Sequence, residues 1–205
     1  MKSNEIIEKI IKERRNVRAF KNKTIPKKVI SKIIEMGIWA PNHRMTEPWK
    51  FIIIQKNSEK RLSISKKIEK YIKENSSNNN SKTVQKIADK ARAEFESCPV
   101  IMYVCSSAGK NEEETLENYS STSIAIQNMA LYSWAVGVGI GWSTGKPIKV
   151  KGLKKILEVP DSSIIAGCLY MGYIENKSVI IKSFCSTKNC NFLSGTVVQN
   201  TINKI

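Results

Sequence analysis

Apolar residues follow two different periods along the chain. Over residues 4–14, Ile6, Ile7, Ile10 and Ile11 recur at helical spacing, and the stretch ends in the cationic cluster RRNVR. Thr24 is placed to cap a second helix, with Pro26 in its first turn and Val29, Ile30, Ile33 and Ile34 on one face as far as Gly37. WKFIIIQ, residues 49–55, is short and β-branched, the signature of a buried strand. Ser58 then caps a lysine-rich helix ending near Lys73, and ENSSNNNS, residues 74–81, is too polar to pack and reads as a mobile loop. A further helix over 82–96 turns Val84, Ile87, Ala91 and Phe95 inward until Pro99 stops it, and VIMYVCS is a second strand. GKNEEETLEN reads as a solvated lead into a long uncharged helix that stops at Gly137. IGWST, KVKGLKKILEVP and SIIAGCLYMGYI then give a strand, a short helix and a fourth strand. Strands alternating with helices, without internal repeats, predict a layered α/β or α+β fold.

Length and composition refine this picture. A chain of 205 residues, 41% hydrophobic, suits one core and a single domain over 1–205, with 175–205 as a tail that could reach a partner. The net charge of +16 comes from 34 Lys and Arg against 18 Asp and Glu. A cationic surface concentrates anions, but the lysines are scattered and form no compact block interleaved with aromatics, which argues against nucleic-acid binding. The five cysteines lie mostly in apolar runs and predict reduced, buried thiols in a cytoplasmic protein. Cys185 and Cys190 have no histidine or second pair beside them, so no zinc site is expected. The N-terminal run breaks its isoleucines with charges, unlike a secretion signal. Residues 120–144 carry no charge and are long enough to span a bilayer, yet Gln127, Asn128, several hydroxyls and close glycines place them at the centre of a protein or dimer instead.

RRNVR offers three guanidiniums in five residues, which as a group could grip a phosphate or remain a solvated cluster. Gly137, Gly139, Gly141 and Gly145 would let backbone approach a flat or anionic ligand, although their spacing is not the dinucleotide fingerprint. His43, the lone histidine, has three roles open to it: a packed or surface residue, a general acid or base, or a ligand-binding group. No serine or cysteine sits on a nucleophile elbow, and one histidine with scattered carboxylates makes no metal set. Arginines, a glycine-rich strand entry and indoles at Trp39, Trp49, Trp134 and Trp142 are what a protein needs to hold a large, flat, phosphorylated cofactor.

In that order and spacing, RRNVRAF, WAPNHRMTEPWKFIII, AIQNMALYSWAVGVGIGWSTG and AGCLYMGY resemble the FMN-dependent nitroreductase family, in its small branch with an Asn-His or Asp-His motif. The resemblance implies an α+β three-layer sandwich: a central, mainly antiparallel sheet flanked by helices, in an intertwined homodimer with two FMN sites shared between chains. It places Arg14, Arg15, Asn16 and Arg18 at the FMN, with arginines at its phosphate. Trp39, Asn42 and His43 would contact the FMN of the partner chain, and Trp142, Ser143, Thr144 and Gly145 would lie along the cofactor. Asn16 stands where serine is usual and Glu47 where glutamine is frequent; Lys182 or Lys188 could supply the basic residue expected near the C-terminus. The implied activity is NAD(P)H-dependent, two-electron, ping-pong reduction of nitroaromatic, quinone or similar acceptors, with no catalytic side chain required. Flavin fragmentation, dehalogenation or azoline oxidation on the same scaffold are the alternatives, and a basic nucleic-acid-binding protein the remaining one.

Overall fold

The computed structural model describes residues 2–78 and 80–175. Its centre is a four-stranded sheet built from β1 (Trp49–Ile54), β2 (Val100–Ser106), β3 (Val138–Ser143) and β4 (Ile164–Tyr173), in the order β1-β2-β4-β3. Every pairing is antiparallel, with a register shift in the β2–β4 ladder at Val104 and Cys105.

Alternate residues of the strands feed two cores, as the two-residue side-chain period requires. Tyr103, Cys105, Cys168 and Tyr170 face the helices α3 (Glu59–Glu74), α4 (Ser81–Ser97) and α6 (Leu153–Leu157). Met102, Val104, Leu169 and Met171 face α2 (Lys27–Gly37) and α5 (Glu112–Ala135). The result is the α+β three-layer sandwich with a central antiparallel sheet. Arg61 of α3 is 1% exposed and donates to the carbonyls of Ile54, Phe95 and Cys98, tying β1 to the end of α4.

Several local expectations need correction. Pro26, not Thr24, occupies the cap of α2, and its carbonyl accepts from the N–H groups of Val29 and Ile30. On α4 the inward stripe is Val84, Ala88 and Phe95, which leaves Ile87 42% exposed, because the helix turns that position off the sheet-facing side. The polar run 74–81 is shortened at both ends: α3 continues through Glu74, and Asn80 accepts from the Thr83 N–H to begin α4 at Ser81. The acidic stretch before the uncharged segment is part of α5. Asn111 caps it, and Glu112, Glu113 and Glu114 fill its first turn, where carboxylates meet the positive end of the helix.

The hydroxyls within α5 are absorbed by its own backbone, with Thr122 donating to the Asn118 carbonyl and Ser133 to that of Ala130. No helix among the described residues is long and apolar enough to cross a membrane. The first helix, α1 (Ser3–Glu13), forms as its spacing predicts, yet Ile6, Ile7 and Ile11 stay exposed. The tail 176–205, with Cys185, Cys190, Lys182 and Lys188, lies outside the described residues.

Candidate functional site

The chain leaving α1 runs beside β3. Asn16 forms a parallel bridge with Ile140, and the Val17 N–H donates to the Ile140 carbonyl at 3.2 Å. The Asn16 side-chain oxygen accepts from the Trp142 N–H at 2.6 Å. This approach explains two of the glycines: a Cβ on Gly141 would sit 2.2 Å from the Val17 carbonyl oxygen, and one on Gly139 would sit 2.9 Å from the Val17 Cβ. Gly141 therefore admits the Val17 backbone and Gly139 the side chains of Val17 and Ile174, so both make room for the chain itself where the sequence suggested a ligand. Gly137, at φ +77, makes the left-handed turn from α5 into β3.

A cleft of about 390 Å³ opens where these pieces meet. Arg14, Asn16, Trp142 and Thr144 line it, together with Gln127, Ala130 and Ile140. The first four belong to the motifs that the sequence marks as a flavin site. The other three come from the α5 face and a strand interior, and their one signal in the sequence is Gln127, an amide in an otherwise apolar helix.

Arg14 has the most telling environment. It is half-buried, and among the described residues its guanidinium has no hydrogen bond or ion pair. Burial and then the neighbouring Arg15 push its pKa down from the ordinary arginine value, so a bound anion at this place would relieve both effects. Asn16, with its oxygen committed to Trp142, keeps its amide nitrogen for donation into the cleft. Arg15 turns back onto the end of α1, donating to the carbonyls of Lys12 and Arg14. Arg18 goes to the other face of the sheet: it crosses Gly141, stacks 3.9 Å from the Tyr170 ring centre and pairs with Glu94 at 3.1 Å. The structure thus separates the three arginines that the sequence grouped.

Ser143 ends β3, and Gly145 starts the turn into the short helix Lys146–Ile148. The loop before β1 stands apart from the cleft. His43 Nδ1 lies 2.9 Å from Glu117 Oε1, Thr46 donates to the Asn118 side chain at 2.8 Å, and the Asn42 side-chain oxygen accepts from the Glu47 N–H. Glu117 precedes the cleft-lining Gln127 by about 15 Å along the axis of α5. Within one chain, Trp39, Asn42 and His43 are therefore not brought to the cleft, and Trp39 is 77% exposed.

The buried thiols are not set for nucleophilic chemistry. Burial pushes the thiols of Cys98 and Cys105 up to about 11 and that of Cys168 up as well, the reverse of what a nucleophilic thiolate needs. Among the described residues no group of three or more His, Cys, Asp or Glu is placed to hold a metal ion.

The model of the nitroreductase family matches residues 11–173. YfhC of Bacillus subtilis, provisionally named an NAD(P)H nitroreductase, is 29% identical over 174 residues, covering 82% of this chain and 84% of that one. A nitroreductase-like protein of Bacillus cereus superposes with a TM-score of 0.68 at 25% identity, over 83% of this chain and 86% of that one. NfnB of Mycobacterium smegmatis, an FMN-dependent nitroreductase solved in complex with NADPH, superposes with a TM-score of 0.72 at 14% identity, over 93% and 99% of the two chains.

Proposed function

Because the chain belongs to the nitroreductase family, we propose that it is a single-domain FMN-dependent oxidoreductase that uses NADH or NADPH to reduce nitroaromatic, quinone or similar acceptors. The observation that carries this reading is Arg14: a half-buried cation without a partner among the described residues, lining one cleft with Asn16, Ile140 and Trp142. Arg14 would hold the phosphate, Asn16 would donate to the ribityl or ring polar atoms, and Thr144 with the adjacent Ser143 and Gly145 would lie along the ring. Bound in this cleft, FMN would supply the redox chemistry, a two-electron transfer from the nicotinamide nucleotide to the acceptor. The protein's own contribution is to bind, orient and exclude water, which agrees with a cleft lined by a cation, amides and apolar groups.

The second half of the site comes from another copy. The isoleucine face of α1, Trp39, Leu116 at 66% exposure and Ile124 at 40% leave a large apolar surface on one protomer. In a homodimer that pairs these faces, Trp39, Asn42 and His43 would reach the partner's cleft, which one chain alone keeps from them. Three buried free thiols, Cys98, Cys105 and Cys168, suit the reducing cytoplasm.

The test is a purified sample titrated with FMN and assayed for NADH and NADPH oxidation with a nitroarene and a quinone. A yellow, FMN-loaded dimer that turns over either acceptor is expected. A protein with no flavin absorbance after addition of FMN would sink the reading, and one that binds FMN without oxidising either nucleotide would move it to another flavin reaction.

A further inference from the structure

The loop between α2 and β1 concentrates backbone strain. Arg44, Met45 and Glu47 take φ of +58, +52 and +44, the left-handed region that bulky L-residues rarely hold, and none of them is glycine. Such conformations persist only where the surroundings enforce them, and they gather at ligand-handling sites. Here the enforcement is visible. The Asn42 side chain clamps the Glu47 N–H at 3.0 Å, His43 meets Glu117, Thr46 meets Asn118, and Pro48 accepts from the Ser107 N–H at 2.8 Å.

These bonds engage Asn42, His43 and Thr46 and leave the charged side chains of Arg44 and Glu47 uncommitted among the described residues. Arg44 is exposed, and its guanidinium has no hydrogen bond or ion pair among the described residues. Met45 beside it is 83% exposed, and Trp39 at the start of the loop is 77% exposed. A cation exposed on a strained, pinned backbone, with Met45 next to it in the chain and Trp39 at the start of the same loop, is a recognition element ordered in advance of its ligand.

We propose that Arg44 selects electron acceptors carrying an anionic group, an aromatic carboxylate being the simplest case, with Trp39 and Met45 forming the apolar wall for the ring. This rests on the reading above, in which the same loop reaches a partner's flavin cleft. A guanidinium matches a carboxylate in a planar, two-bonded geometry that a neutral acceptor cannot use. The overall charge of +16 raises the local concentration of any anion but does not distinguish one surface cation from another. Dependence on Arg44 itself is therefore what must be measured.

The experiment compares 4-nitrobenzoate with neutral 4-nitrobenzamide as acceptors for the FMN-loaded enzyme. In a ping-pong scheme the acceptor's kcat/KM is independent of the donor's, so the two halves are read separately. Arg44→Met is expected to lower the carboxylate-to-amide ratio of kcat/KM by about tenfold, the scale of one lost charge-assisted bond, and Arg44→Lys by less. Equal losses on both acceptors, an unchanged ratio, or a loss confined to the NAD(P)H half would each overturn the proposal. A wild-type protein that binds no FMN, or reduces neither acceptor, would instead overturn the flavin reading on which it rests.

Discussion

Arg14 and Arg15 are neighbours with opposite fates. Arg15 spends its donors on the last carbonyls of α1, whereas Arg14 enters the cleft and is left with a desolvated charge. A cation in that state costs the FMN-free protein stability and gains it back only on meeting an anion. Arg14→Met is accordingly expected to leave the melting temperature of the FMN-free protein unchanged or raised. It should weaken FMN binding by about 10- to 100-fold, the worth of one hydrogen bond to a charged group. Thermal melts and a flavin-fluorescence titration check the two halves; a lower melting temperature with unaltered FMN affinity would make Arg14 a structural residue. Arg18, three positions on from Arg15, is held by Tyr170 and Glu94 on the far face of the sheet. Nearby cations in a sequence thus need not share a ligand, because between Arg14 and Arg18 the chain leaves α1 and passes beside β3 at the Asn16–Ile140 bridge.

Among the elements, the cleft depends on the chain after α1 lying against β3, and that contact tolerates no side chain at Gly141. The 2.2 Å separation between an added Cβ and the Val17 carbonyl involves backbone on both sides, so neither can move aside cheaply. Gly141→Ala is expected to cost about 1–3 kcal/mol, which for a chain of this size lowers the melting temperature by roughly 2–4 °C per kcal/mol. It should also loosen FMN, since displacing the segment moves Asn16 away from the Trp142 N–H. An alanine variant with wild-type stability and FMN affinity would mean that the segment does not need β3. The elements themselves follow from local pattern: the β-branched runs form β1 and β2, and Ser58 caps α3 through the Arg61 N–H as expected. Where local pattern fails, at Thr24, at Ile87 and at the acidic start of α5, the outcome turns on a rotation or a cap that a single-residue change of phase can reverse.

For the molecule as a unit, the decisive feature is apolar surface that one protomer leaves uncovered on α1, α5 and the loop at Trp39. Placing a carboxylate in the middle of a buried interface costs several kcal/mol unless it is paired. In the homodimer proposed above, Ile124→Glu on α5 is therefore expected to give a monomer by light scattering that also loses FMN, since each site would lack its second half. A variant that stays dimeric with its flavin would show that this part of α5 lies outside the interface. The kinds of element and their layered α+β arrangement are legible in the order of residues because they rest on periodicity, and the family is legible because four motifs resemble its members. Which members of those motifs meet is a matter of the folded chain. The path of residues 14–18 beside β3 divides Arg14, Arg15 and Arg18 among three environments, and the His43 loop docks on α5 at Glu117, about 15 Å along the helix axis from the cleft-lining Gln127. Spacing along a chain sets what side chains can do, but their partners are set by the path of the backbone through space.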